Sequence, residues 1–234
     1  MYGFYYDPTY ILVLIGVVIC MMASSNVNRT FNRYSRVWSH TGLTGREAAE
    51  KILRANGIYD VQVQHVSGNL TDHYDPGNKV LRLSDATYQS ASVAAIGVAA
   101  HECGHAVQHA TGYMPLKIRG ALVPVANFGS ALAWPLILIG LLIGGNSSVV
   151  LINFGILLFS AAVLFQLVTL PVEWNASSRA LRALETSGML YEEEIHDTRK
   201  VLRAAALTYV ASAASAILQL LRILIISGGR RRDD

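Results

Sequence analysis

The chain has 234 residues, 52% of them hydrophobic and 15% charged, with a mean hydropathy of +0.35; it is too apolar for a purely soluble domain and too charged for a bare bundle of membrane helices. Its net charge of +3 is the balance of nineteen basic against sixteen acidic residues; the basic ones are scattered along the chain without a basic helix or interleaved aromatics, which argues against nucleic acid as a partner. Cys20 and Cys103 lie in an apolar run and a predicted helix, so no disulfide framework is indicated.

Residues 1–28 are expected to form an N-terminal transmembrane helix. The apolar run Tyr10–Ala23 is short for a span, but Phe4, Tyr5, Tyr6 and Tyr10 extend it as interfacial aromatics. No Lys or Arg precedes Arg29, Asp7 adds a negative charge, and Ile19 precedes Cys20 where a lipoprotein site needs a small residue; the segment is expected to stay attached and not to be a cleaved signal.

Residues 29–120 read as a small α+β core. Thr44 and Glu47 have capping-box spacing ahead of a helix-favouring run, and Gly57 suits the left-handed position after its last turn. The period then falls to two: Val61, Val63 and His65 alternate with Gln62 and Gln64. The turn signal Asp75-Pro76-Gly77-Asn78 precedes a second strand, Lys79–Ser84, giving a hairpin or short sheet. Ser92–Thr111 is a predicted helix closed by Gly112, apolar around most of its circumference and therefore buried.

Residues 121–170 contain two full-length spans, Ala121–Gly144 and Val149–Leu170, joined by the loop Gly144–Ser148. Arg29, Arg33 and Arg36, then Lys117 and Arg119, then Arg179 and Arg182 flank the spans on one side, which the positive-inside tendency makes cytoplasmic. Residues 171–203 are expected to be a cytoplasmic helix that begins after Pro171, with Glu173 in its first turn. Residues 204–234 hold a fourth apolar helix and the basic tail Arg230, Arg231 and Arg232. Thr208, Ser212, Ser215, Gln219 and Arg222 draw a polar stripe along it, which suits a crossing whose seam faces the other spans. The alternative is a helix along the cytoplasmic interface, which would keep the basic tail inside.

His101-Glu102-Cys103-Gly104-His105 matches the H-E-x-x-H pattern of zinc peptidases. Residues i and i+4 share a helix face, so both imidazoles can approach one ion at about 2.0–2.1 Å. Glu102 lies round the helix towards the open position, where it can take a proton from the attacking water and deliver it to the leaving amine. The alternative is two neutral core histidines satisfied by hydrogen bonds; two His and a Glu on a buried apolar helix then cost several kcal/mol in desolvation. His109 continues the series but lies about 12 Å along the helix from His101, which leaves it a packing role or a place behind the ligands. Glu173 is the candidate third ligand, returned to the same side of the membrane; on local sequence alone it could instead cap a helix.

These residues resemble a known family, the YugP-like neutral zinc metallopeptidases of bacterial membranes. The likeness runs through Tyr6-Asp7-Pro8-Thr9-Tyr10, Leu70-Thr71-Asp72-His73-Tyr74-Asp75-Pro76, Ala99 to Ala106, Leu122-Val123-Pro124-Val125-Ala126-Asn127 and Glu173-Trp174-Asn175-Ala176-Ser177. It implies zinc-dependent peptidase activity at the cell membrane and favours Glu173 as a ligand. More distantly, the order strand, zinc helix, membrane hairpin, glutamate is similar to the HtpX-type and CAAX-prenyl endopeptidases. In those an aspartate four residues after the glutamate orients a ligand, and here Ser177 stands in its place. A neutral hydroxyl cannot raise a histidine's basicity as a carboxylate does. Asn175, Ser177 and His109 are the candidates for supporting the ligands.

The fold expected is a membrane-embedded α+β protein with a zincin-like H-E-x-x-H helix and a small sheet, packed with three to four transmembrane helices. The expected activity is a zinc endopeptidase with one Zn²⁺ per chain, ligands His101, His105 and Glu173, and Glu102 as base and acid. Its partners would be the lipid bilayer and a peptide or membrane-protein substrate, with the active site on the cytoplasmic side. His73, Tyr74 and Tyr113 are the candidates for the oxyanion donor; His73 and Tyr74 could equally be polar flanks of the turn. The segment Leu70–Tyr74 is expected to offer a strand edge to an extended substrate. A scaffold keeping a structural zinc needs four ligands and no base, so Glu102 argues against it. A metal hydrolase acting on lipid or another non-peptide bond is set apart only by the resemblance.

Overall fold

The computed structural model describes residues 7–143 and 145–230. Six helices and three strands follow in the order α1 (Tyr10–Tyr34), α2 (Gly45–Ala55), β1 (Gln62–His65), β2 (His73–Asp75), β3 (Val80–Leu83), α3 (Val93–Ala110), α4 (Met114–Ile143), α5 (Gly145–Ser187) and α6 (Glu192–Arg230). The chain divides into two compact units. One contains residues 1–23, 118–170 and 208–234, and the other residues 24–117 and 171–207.

Four helices, α1, α4, α5 and α6, are long and apolar enough to cross a membrane. In the first unit Ala133, Ile137, Phe159, Val163 and Ile223 form a small core, with Trp134 set edge-on to Phe159. Small residues let the helices meet. A methyl group on Gly129 would lie 2.7 Å from the Leu158 carbonyl oxygen, a contact only glycine allows.

The polar stripe of α6 faces α1. Cys20 Sγ donates to the Ala211 carbonyl at 3.6 Å, and a methyl group on Gly16 of α1 would lie 2.7 Å from Ser215 Oγ. Arg222 donates to Asp7 Oδ2 at 3.0 Å and Thr9 Oγ1 at 3.3 Å, and its guanidinium lies 4.1 Å from the Tyr10 ring centroid. Partner numbers fall from 20 to 7 on one helix as they rise from 211 to 222 on the other, so the two run antiparallel.

The second unit is built on a three-stranded mixed sheet in the order β1-β3-β2, with β1 parallel and β2 antiparallel to β3. Its helices start where the local chemistry says. Thr44 and Glu47 close a full capping box on α2, and Gly57 takes φ +71 just beyond it. Ser92 caps α3 through the Ala95 N–H. The core holds Leu81, Leu83, Val93, Ile96, Leu184 and Val201, all almost fully buried; truncating any one of these three leucines to Ala should cost about 2–5 kcal/mol. Gly104 is packed so closely that a methyl there would lie 2.5 Å from the Ala176 carbonyl oxygen. That closeness brings α3 against α5.

Three sequence expectations change. The strand around Leu70–Tyr74 begins only at His73, because Leu70 takes φ +56 and extended backbone cannot run through a left-handed residue. Of the expected Gly144–Ser148 loop, Gly145 to Ser148 already belong to α5, and Gly144 lies outside the described residues. No helix begins after Pro171: α5 runs unbroken through it, and Glu173 lies in the helix interior. A proline ring fits helical φ and removes one N–H bond, a loss the long helical segments on either side absorb.

Candidate metal centre

Helix geometry places His101 and His105 on one face of α3, and α5 brings Glu173 against them. One donor atom from each of the three lies within 4.8 Å of the others, an arrangement that could hold a metal ion. Glu173 Oε2 is 3.3 Å from His101 Nε2 and 3.6 Å from His105 Nε2. The imidazoles meet edge to face, with centroids 4.8 Å apart. Glu173 is only 2% exposed. Burial by itself raises its carboxyl, but hydrogen bonds from His101 and His105 outweigh this and hold it well below the usual carboxylate range. Burial lowers His105, yet its bond to Glu173 and the charges of Glu102 and Glu173 leave it raised. The pocket therefore favours positive charge where the three donors converge.

Glu102 is buried beside them. Among the described residues no hydrogen bond to its carboxylate is found.

The outer nitrogens of both histidines are held. His101 Nδ1 lies 3.1 Å from Ser177 Oγ, and His105 Nδ1 lies 3.0 Å from Gln108 Oε1. Gln108 is fully buried; its Nε2 donates to the Val172 carbonyl at 2.7 Å and to Asn175 Oδ1 at 3.0 Å. Arg179 Nε donates to the same Asn175 oxygen at 2.8 Å and lies with its guanidinium 5.8 Å from the Tyr113 ring centroid. Gln108 and Arg179 were not among the residues expected from sequence. The signal for Gln108 was its place three residues after His105 on the same helix face.

The remaining candidates lie outside the three-residue group. His109 is exposed, and its Nδ1 is 2.9 Å from the Tyr74 hydroxyl. Burial, then the charges of Asp60 and Asp75, push the Tyr74 phenol up. His73 has Nδ1 on the Thr71 carbonyl at 2.8 Å and Nε2 on Arg82 at 3.3 Å. Asp72 accepts from the Ser84 N–H and hydroxyl, both at 2.8 Å. Asp75 collects hydrogen bonds from Asn78, Arg82 and Gly77, which bring its carboxyl down to about 2. The run Leu70 to Pro76 is thus largely a clamp that sets β2 against β3.

A family described as "putative neutral zinc metallopeptidase" matches residues 9–228. The chain belongs to this family. It is 48% identical to "Putative membrane protease YugP" of Bacillus subtilis (strain 168) over 215 residues, covering 92% of this chain and 94% of the relative. No solved structure matches it. The family implies zinc, and the donors fit. Two imidazole nitrogens and one carboxylate oxygen are the set found in catalytic zinc sites that keep a fourth position open. Each imidazole has its Nδ1 engaged behind it, leaving Nε2 towards the other donors.

Proposed function

We propose that the chain is a zinc-dependent endopeptidase of the cell membrane, with His101, His105 and Glu173 as the zinc ligands and Glu102 as general base and acid. The observation that carries this reading is Glu173 Oε2, brought by a separate helix to 3.3 and 3.6 Å from the two Nε2 atoms of the H-E-x-x-H pair. Bound there, zinc supplies Lewis acidity that activates water and polarises a carbonyl. Glu102 accepts the proton of the attacking water and passes it to the leaving amine nitrogen. Buried and without a hydrogen-bond donor among the described residues, it need break no bond to them to do so.

Substrate peptide lies along the free edge of β2, which pairs with β3 on one side only. The Tyr74 hydroxyl, held by His109, is the favoured oxyanion donor. His73 has both nitrogens occupied, and Tyr113 faces Arg179. The catalytic unit is cytoplasmic, since Arg29, Arg33, Arg36, Lys117, Arg179 and Arg182 all flank the spans on its side. Substrates are then membrane-associated or cytoplasmic proteins. The test compares the membrane proteome of cells carrying wild-type protein with that of cells carrying Glu102→Gln. Peptide ends that appear only with the wild type, while the variant retains zinc, support the reading; identical proteomes overturn it.

A further inference from the structure

Gln108 faces two groups whose chemistry leaves it no choice of orientation. A backbone carbonyl can only accept, so the Gln108 atom 2.7 Å from Val172 O must be the amide nitrogen. The Asn175 atom that faces both this nitrogen and Arg179 Nε must be an oxygen, because both neighbours donate. The Gln108 oxygen is therefore the atom turned to His105 Nδ1 at 3.0 Å. An amide oxygen only accepts, so Nδ1 must carry a proton; Nε2 faces the Glu173 carboxylate, to which it donates in the absence of metal, and it is the nitrogen left to give up its proton to a metal.

The same argument fails for the other histidine. His101 Nδ1 meets the Ser177 hydroxyl, which can donate or accept and forces neither tautomer. The two ligands are thus prepared by different means.

We propose that Gln108 is a positioning residue that locks His105 in its metal-binding tautomer, and that Asn175 and Arg179 set the polarity of Gln108. The chain runs Arg179 N–H to Asn175 oxygen, Gln108 N–H to the same oxygen, and His105 N–H to the Gln108 oxygen. Every donor has an acceptor. Reversing any one amide would put two donors or two acceptors face to face in a buried site, which is costly. Gln108 is fully buried, so water cannot relieve such a clash. The proposal rests on the reading of His105 as a zinc ligand, but the polarity of Gln108 and the Nδ1 proton it holds exist without metal.

Only the oxygen of Asn175 is used, so an aspartate can replace it and a leucine cannot. A carboxylate there still accepts from Gln108 and pairs with Arg179. Gln108→Glu, by contrast, would turn an acceptor towards the Val172 carbonyl.

The test uses full-length protein labelled with ¹⁵N-histidine, stripped of metal, in detergent micelles, with Glu173→Ala to remove the competing acceptor at Nε2 and at a pH where the imidazole signals are those of the neutral ring. Long-range ¹H–¹⁵N correlation reads the tautomer, and His105→Ala assigns its signals. In that background, the otherwise unaltered protein and Asn175→Asp are expected to show the Nδ1–H form. Gln108→Met and Asn175→Leu are expected to shift towards the Nε2–H form there and, in protein that keeps Glu173, to bind zinc about 10–100-fold more weakly. If Gln108→Met does not fold, the Asn175 pair decides alone. An unchanged tautomer in Asn175→Leu, or the same shift in Asn175→Asp, overturns the proposal. Failure of the wild type to bind zinc while the tautomers behave as stated would count against the ligand assignment and leave the polarity chain standing.

Discussion

Ser177 Oγ stands 3.1 Å from His101 Nδ1, one helical turn beyond Glu173, so a single helix supplies both a donor to the metal group and the partner behind one of its histidines. The hydroxyl occupies the position where the more distant endopeptidases carry an aspartate. It orients the ring without lending it a full negative charge.

Ser177→Ala should therefore weaken zinc binding by about tenfold, the lower end of what outer partners contribute. Ser177→Asp should bind zinc at least as tightly as the wild type. Competition with a chromogenic chelator measures both. Equal affinities in the alanine variant and the wild type would make the serine a packing residue.

Glu173→Ala and His109→Ala separate ligation from proximity. Glu173 joins the two imidazoles, whereas His109 points to Tyr74. After dialysis, Glu173→Ala should retain little zinc and His109→Ala close to one ion per chain. Equal retention would return Glu173 to a structural carboxylate.

Tyr74→Phe removes the hydroxyl held by His109 and leaves the ring. With Tyr74 as oxyanion donor, kcat should fall about 10²–10³-fold, with zinc content and thermal midpoint unchanged. Tyr113→Phe, altered beneath Arg179, should lose much less. Steady-state kinetics on a substrate found by the proteome comparison decides between them.

The antiparallel run of α6 along α1, ending in the Arg222–Asp7 pair, predicts that Ser227 emerges on the same side as Asp7, outside the cell. A cysteine at Ser227, in a Cys20→Ala and Cys103→Ala background, should react with a membrane-impermeant reagent on intact cells. Protection until lysis would mean that α6 does not cross.

Much of this protein is written locally. The α2 capping box needs only Thr44 and Glu47, three residues apart, and the H-E-x-x-H pair needs only the helical repeat. The stripe from Thr208 to Arg222 announced a face that lipid would not solvate, and α6 turns Ser215 of it towards Gly16 of α1 and Arg222 towards Asp7 just ahead of α1. Local sequence was less informative where two states lie close in energy. Pro171 reads as a boundary because its ring costs one hydrogen bond, yet α5 continues because the helix on both sides outweighs that loss.

Tertiary structure alone decided what meets across distance. Nothing around Gln108 says that it will find Val172 and Asn175 some sixty residues away, because a hydrogen bond's strength depends on partners that only packing brings together and on the water that packing removes. The sequence determined which chemistry the chain carries, since metal-ligand types and their helical spacing are local properties. The close approach of α3 and α5 at Gly104 determined how that chemistry is held, since no local pattern specifies the distance between two helices.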